Sequence, residues 1–182
     1  MKRKLLLYAA LLTLTQCSKC KNDPTPADPA AQLPPATQIG ANTFGCLVNG
    51  QPYTPSGYNG TSNYAVLYDQ GPNGANLNIL TYRIAGTGSQ YINLSCGPVT
   101  IARKFSLDIP VTEGTAAYVN TAGQFPCNSY EGNQAPNYRR GQLIITRLDP
   151  QAGIISGTFE FTLAKPGCDT IKVTQGRFDK KI

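Results

Sequence analysis

The chain has 182 residues, of which only 14% are charged, and it contains no histidine and no tryptophan. Its length suits one ordinary domain with accessory segments, and the lack of histidine removes the commonest general base and metal ligand. The net charge of +6 falls to +3 when the three basic residues at positions 2–4 are set aside, so we expect no nucleic-acid partner, which needs a dense basic face.

A positively charged start precedes a short apolar run. Residues 2–4 are Lys-Arg-Lys, and residues 5–14 read LLLYAALLTL. Ten apolar residues are too few to span a bilayer, which takes about 20, but they match the core of a secretory signal peptide. We therefore expect a signal peptide over residues 1–16 and export across the inner membrane.

The apolar run ends in Leu14-Thr15-Gln16-Cys17, which resembles the lipobox of bacterial lipoproteins. The resemblance implies that Cys17 is acylated and that the chain is anchored in the cell envelope, with the outer membrane as the expected location. Several acyl chains would hold a domain on a membrane. Gln16 is larger than the residue usual at this position, so Cys20, ordinary secretion and an uncleaved anchor stay open as alternatives.

Residues 17–42 contain five prolines and few large apolar side chains. Such a composition favours extended polyproline II structure and cannot bury enough surface to fold. We expect a lipidated, proline-rich tether that holds the domain up to about 60 Å from the membrane, at about 3.1 Å per residue. The domain itself is then expected at residues 43–182.

From residue 43 onward the apolar pattern has a period of two, which is typical of β-strands. The pair Asn49-Gly50 predicts a type I′ hairpin turn, because both positions need positive φ. The strands are expected at residues 43–48, 51–54, 64–69, 76–83, 91–96, 104–109 and 116–120.

The last 40 residues carry the clearest pattern. Phe159 and Phe161 alternate with Thr158 and Thr162, which predicts a half-buried antiparallel strand with both phenylalanines inward. It is flanked by strands at 142–148 and from 171 onward, where Gly176 suits a β-bulge.

Short strands at regular spacing predict an all-β domain. The expected fold is an antiparallel β-sandwich of about 8–10 strands, and the alternative is an up-and-down, lipocalin-like barrel.

Three segments resemble a family of small envelope lipoproteins of Bacteroidota-type bacteria that carry a domain of unknown function. The segments are TFGCLVNG at 43–50, ISGTFEF at 155–161 and VTQGRFD at 173–179, about a third of the domain. The resemblance implies an envelope lipoprotein with a β-fold, and it implies no particular activity.

Four cysteines lie in the expected domain, and export indicates disulfides in place of a zinc site. Four cysteines allow three pairings, and their spacing does not choose between them. We expect Cys96–Cys127 with Cys46–Cys168, because the second pair would close a long loop. The alternative is that some of these thiols stay free and buried.

Tyrosines are the one feature that suggests a binding surface, since tyrosine with asparagine and glycine suits sugar stacking and adaptable contacts. Two loops combine these residues, at 58–64 and 128–133. The candidate binding residues are Tyr58, Asn59, Tyr64, Tyr130 and Asn133.

We find no catalytic constellation, no cofactor motif and no metal-ligand spacing in the sequence. The favoured reading is a non-enzymatic envelope lipoprotein that binds a glycan or an envelope protein, or serves structurally. One alternative is a small-ligand carrier with a barrel cavity. The other is a glycan hydrolase that uses two carboxylates, for which Glu160 and Asp179 on neighbouring strands are the candidates.

Overall fold

The structure is a computed structural model that describes residues 28–108, 113–131 and 138–182. These residues form a short 3-10 helix at Pro29–Gln32 and eleven β-strands. The strands are β1 (Thr43–Val48), β2 (Gln51–Tyr53), β3 (Tyr64–Gly71), β4 (Gly74–Ala85), β5 (Gly88–Val99), β6 (Lys104–Ser106), β7 (Gly114–Asn120), β8 (Ser129–Tyr130), β9 (Tyr138–Asp149), β10 (Ile154–Ala164) and β11 (Ile171–Lys181).

The strands form two antiparallel sheets. One sheet has six strands in the order β2-β1-β11-β10-β9-β6, and the other has five in the order β3-β4-β5-β7-β8. The predicted β-sandwich is confirmed, and the barrel alternative is wrong because the sheets do not close on each other. The chain leaves the five-stranded sheet for β6 and returns to it for β7, which an up-and-down barrel of sequential neighbours does not allow.

One hydrophobic cluster between the sheets forms the core. Phe44 of β1 stacks on Phe159 of β10 with ring centroids 5.1 Å apart, and Tyr64 of β3 packs against Phe44 at 5.7 Å. Leu77 and Ile92 face them from the five-stranded sheet and are fully buried. The core therefore joins residues that lie far apart in the sequence.

The predicted facing of β10 is confirmed. Phe159 is 3% exposed and Phe161 is 2% exposed, whereas Thr158 and Thr162 are partly exposed on the outer face. Ser156 departs from the pattern, because it lies on the outer face and is buried.

The predicted turn and bulge are both present. Asn49 and Gly50 have φ values of 48° and 79°, as a type I′ turn requires. The register of β10 against β11 shifts just before Gly176, and Gln175 adopts the left-handed conformation with φ of 52°. Gly176 lies under the Phe159 ring, where an added Cβ would come within 2.4 Å of a ring carbon.

Residues 28–42, called the N-terminal strap here, pack on the domain, so the expected boundary at residue 43 is wrong. The 3-10 helix contacts β1 and β2, and Leu33 is buried. Pro34 lies over Gly45, where an added Cβ would meet the proline ring at 2.6 Å. The remaining part of the expected tether, the signal peptide and Cys17 lie outside the described residues.

The strap is held mainly by the carboxylate of Asp179 in β11, which is 1% exposed. The carboxylate accepts five hydrogen bonds of 2.6–3.0 Å. The donors are Thr37 Oγ1, Ser156 Oγ and the backbone N–H groups of Ile39, Gly40 and Ala41. Burial raises the pKa of Asp179, but these hydrogen bonds outweigh burial and hold its pKa well below the usual range.

The disulfide joins Cys127 to Cys168, with Cα atoms 5.3 Å apart, so the expected pairing is wrong. Cys46 and Cys96 are free and buried, because both point inward from the middle of strands on opposite sheets. Cys127 and Cys168 instead lie in two loops that meet at one end of the sandwich. The spacing of the cysteines in the sequence does not show that these two loops lie close together.

The core cluster and both sheets lie wholly within residues 28–182. A segment that contains its own complete core is expected to fold by itself. Within the part of the chain that the structure describes, no helix is long and apolar enough to cross a membrane.

Candidate functional site

Tyr58 and Asn59 lie in an exposed loop between β2 and β3, as the sequence suggested. The Tyr58 side chain is 76% exposed. The Asn59 side chain accepts hydrogen bonds from the N–H and the hydroxyl of Thr61, at 3.2 and 2.9 Å. The Asn59 N–H donates to the Tyr82 hydroxyl at 3.1 Å, so the loop is fixed against the outer face of β4.

Tyr64 and Tyr130 are buried core residues, so their assignment to a binding loop is wrong. Tyr64 packs on Phe44 inside the sandwich. Tyr130 lies in β8, where the sequence indicated a loop, and its hydroxyl donates to the carbonyl oxygen of Asp169 at 2.6 Å. The strands β3 and β8 are opposite edges of one sheet, so the two predicted loops do not converge. Asn133 lies outside the described residues.

The outer face of the five-stranded sheet carries a set of uncharged polar side chains, called the polar face here. They are Asn76 and Asn78 on β4, Asn93 and Ser95 on β5, and Thr115 on β7. Asn78, Ser95 and Thr115 are direct cross-strand partners, and the hydroxyls of Ser95 and Thr115 are 2.6 Å apart. With strands about 4.8 Å apart, this row crosses the sheet over about 10 Å.

An open depression of about 450 Å³ lies over one end of the polar face. Asp69 and Glu113 line its two sides, and the described residues that line it include no lysine or arginine. Glu113 accepts hydrogen bonds from the Ser106 N–H and from Arg103, both at 2.9 Å. These two bonds hold the pKa of Glu113 below its usual range, so this carboxylate is ionised and both of its oxygens are occupied.

The other end of the polar face is aromatic. Tyr82 and Tyr91 are cross-strand partners on the outer face, with ring centroids 5.9 Å apart. Tyr82 is buried and its hydroxyl donates to the carbonyl oxygen of Thr61, whereas Tyr91 is only half-buried. The polar face thus offers an aromatic ring at one end and amides and hydroxyls along about 13 Å of β5, from Tyr91 to Ser95.

The free thiols offer no nucleophile. Burial raises the pKa of Cys46 and of Cys96 to about 12 each, so both stay protonated at neutral pH and lie out of reach in the core. Among residues 28–108, 113–131 and 138–182, no three histidine, cysteine or acidic side chains come close enough to hold a metal ion.

Sequence reasoning missed the polar face, although its signal was present. In residues 76–79, two asparagines alternate with Leu77 and Ile79, which places both amides on the solvent side of a strand. What the sequence lacked was the strand order that sets the asparagines beside Ser95 and Thr115.

Fold and site together define an all-β sandwich in which the outer face of the five-stranded sheet carries amides and hydroxyls, with the carboxylates of Asp69 and Glu113 at one end. No family model, curated protein or solved structure matches the chain.

Proposed function

We propose that this protein is an envelope lipoprotein, anchored through Cys17, whose β-sandwich binds an uncharged glycan on the polar face without chemical conversion. The proposal joins a lipid anchor, which the N-terminal sequence pattern supports, to a binding surface, which the geometry of the five-stranded sheet supports.

The chemistry of the polar face suits sugar hydroxyls. Asparagine amides both donate and accept hydrogen bonds, and serine and threonine hydroxyls do the same. A half-exposed tyrosine such as Tyr91 adds a flat apolar surface for stacking. Since the described residues that line the depression include no lysine or arginine, a neutral ligand is favoured over an acidic one.

The course of the strap is the single observation that carries the proposal. Besides its bonds to Asp179, the strap accepts hydrogen bonds from Arg177 at the Pro34 carbonyl and from Arg147 at the Gln38 carbonyl. These contacts hold it on the outer face of the six-stranded sheet. The polar face is on the opposite side, so a lipid anchor ahead of the strap would leave the polar face turned away from the membrane.

Binding without hydrolysis is favoured by the state of the carboxylates. A glycosidase needs two carboxyl groups about 5–10 Å apart, one of which is an acid with a raised pKa. Asp179 is buried under the strap with a lowered pKa, and Glu113 is also ionised. The cross-strand partner of Asp179 is Ser156. Glu160 lies four residues from Ser156 along β10, a distance of about 13 Å. The carrier alternative is disfavoured because side chains fill the space between the sheets.

The binding proposal is tested with residues 28–182 and neutral envelope oligosaccharides in isothermal titration calorimetry. Asn78→Ala removes an amide from the centre of the polar face and is expected to weaken binding about tenfold, the value of one or two hydrogen bonds. Asn73→Ala is the matched control, because Asn73 is exposed in the β3–β4 turn. Equal losses in both variants, or no neutral glycan bound at all, would refute the proposal.

The anchor is tested separately. Cys17→Ser is expected to abolish labelling with palmitate and to release the protein from the membrane fraction. A variant that still labels and still sediments with membranes would place the acylation elsewhere.

A further inference from the structure

Several basic side chains lie on the outer face of the six-stranded sheet. Arg147 binds the strap there, and four others are called the basic face here. They are Lys104 on β6, Arg140 on β9, and Lys172 and Arg177 on β11. Three of them are exposed, and Arg177 is half-buried. The two ion pairs among the described residues, Arg103–Glu113 and Arg147–Asp149, involve none of the four.

Cross-strand pairing brings these cations into two rows. Arg140 and Lys172 are both partners of Thr162, so their Cα atoms are about 10 Å apart across β10. Lys104 and Arg177 form the second row. Two residues lie between them across the sheet: Ile144, the partner of Lys104, and Thr158, the partner of Arg177.

A carboxylate lies between the two rows. The Glu160 carboxylate accepts a hydrogen bond from the Gln142 amide at 2.8 Å. The ionised carboxylate of Asp179, two residues from Arg177 on the same face, is a second acidic group. Four basic side chains against these two carboxylates leave the basic face with a positive charge.

A tyrosine lies at one end of the basic face, beside Arg140 and Lys172. Tyr138 is about half exposed and lines an open depression of about 280 Å³ together with Arg140, Thr162 and Lys172. A tyrosine beside lysine and arginine is the combination that proteins place at the headgroup level of membranes.

We propose that the basic face rests on anionic lipid headgroups of the membrane in which the protein is anchored. The strap occupies the β1–β11 side of this same outer face, so the described chain begins, at Asp28, on the side that carries the cations. From Cys17 to Asp28 the chain can span at most about 40 Å. This inference rests on the proposed lipid anchor.

Charge complementarity and the anchor act together. The basic face points to the membrane, while the acidic rim of the polar face, at Asp69 and Glu113, points away from it. A short connection keeps the domain at high effective concentration near the surface, so weak electrostatic contacts suffice to orient it. The glycan surface then faces outward from the membrane.

The test uses residues 28–182, which contain the complete core and carry no lipid. Sedimentation is measured with phosphatidylcholine vesicles with and without phosphatidylglycerol. We expect binding only to the anionic vesicles, falling as salt is added because exposed charges are screened. Arg140→Gln with Lys172→Gln is expected to lower the partition coefficient about 30-fold, since each basic side chain near such a surface contributes about 1 kcal/mol.

The control changes the net charge equally on the other sheet. Gln70→Glu and Thr87→Glu also lower the charge by two. Gln70 is exposed near the end of β3, and Thr87 is exposed in the turn between β4 and β5. We expect this control to bind anionic vesicles nearly as the parent does. If vesicle binding is weakened equally in both double variants, the attraction depends on net charge alone. If the parent does not bind the vesicles, the basic face does not dock on them. Either result overturns the inference. Neither result bears on palmitate labelling at Cys17. Failure of the vesicle experiment can therefore be distinguished from failure of the proposed lipid anchor.

Discussion

Replacing Asp179 by asparagine is expected to destabilise the protein severely, although the two side chains have the same shape. One carboxylate oxygen accepts hydrogen bonds from Gly40 and Ser156, and the other accepts from Thr37, Ile39 and Ala41. An amide nitrogen cannot accept, so at least one backbone N–H, that of Gly40 when the nitrogen takes the place of the first oxygen, would be left facing another donor, whereas the Ser156 hydroxyl could turn to accept.

The magnitude follows from the number of donors. Each buried donor without a partner costs about 1–3 kcal/mol, and the bonds that remain lose the strengthening of a charged acceptor. We therefore expect Asp179→Asn to lower the free energy of unfolding by about 3–5 kcal/mol, a large part of a typical 5–15 kcal/mol. Urea unfolding at neutral pH measures this loss. Asp69→Asn, at an exposed carboxylate on β3, is the control and should change it by less than about 0.5 kcal/mol.

The pH dependence supplies a second readout. Because the folded-state pKa of Asp179 is lowered, the unfolded chain binds the proton more tightly. The stability from this carboxylate is full above about pH 4 and is lost as the pH falls toward the lower folded-state pKa. The parent should lose this increment on acidification, whereas Asp179→Asn should not. In a protein that lacks residues 28–41, Asp179→Asn should cost much less than in the parent, because four of the five donors to the carboxylate are already absent. Near-parental stability of Asp179→Asn, or full additivity with the deletion, would refute the role assigned to the carboxylate.

Two further predictions concern the core and the cysteines. Phe159→Ala should lower the free energy of unfolding by about 3–5 kcal/mol and Thr158→Ala by less than about 1 kcal/mol; denaturant melts in which the threonine variant suffers more would reverse the assigned facing of β10. Opening the Cys127–Cys168 disulfide, which closes a separation of 41 residues, should cost about 2–4 kcal/mol, whereas Cys46 should resist alkylation until the protein unfolds. Mass spectrometry after alkylation, with and without denaturant, measures how far Cys46 is modified. Fast modification of Cys46 in the folded protein would contradict its burial.

The sandwich assigns different chemistry to its two outer faces. The six-stranded sheet carries the strap and the four cations, while the five-stranded sheet carries amides, hydroxyls and two carboxylates. Strands of a sandwich contribute alternate residues to the core and to solvent, so each outer face can vary without disturbing the packing. The proposed membrane contact and the proposed glycan binding would therefore lie on opposite sides of one small domain.

Local patterns in the sequence were enough for the strands other than β8, for the first turn and for the facing of β10. Alternation at Phe159 and Phe161 has a period of two, and a strand must put such residues on one side. Asn49-Gly50 specified its turn because few residues tolerate positive φ at both positions. These features depend on neighbours in the chain, so the sequence by itself determined them, together with the all-β class.

The tertiary structure decided what depends on contacts between distant residues. Residues 28–42 have the composition of a tether, yet four hydrogen bonds to Asp179, some 140 positions away, fix them to the domain. Cys127 pairs with Cys168 because two loops meet, which spacing does not reveal. Tyr64 and Tyr130 look like loop tyrosines in the sequence, but each faces inward from an edge strand. The polar face and the basic face likewise exist only through strand order, because a sheet brings together side chains that the chain keeps far apart.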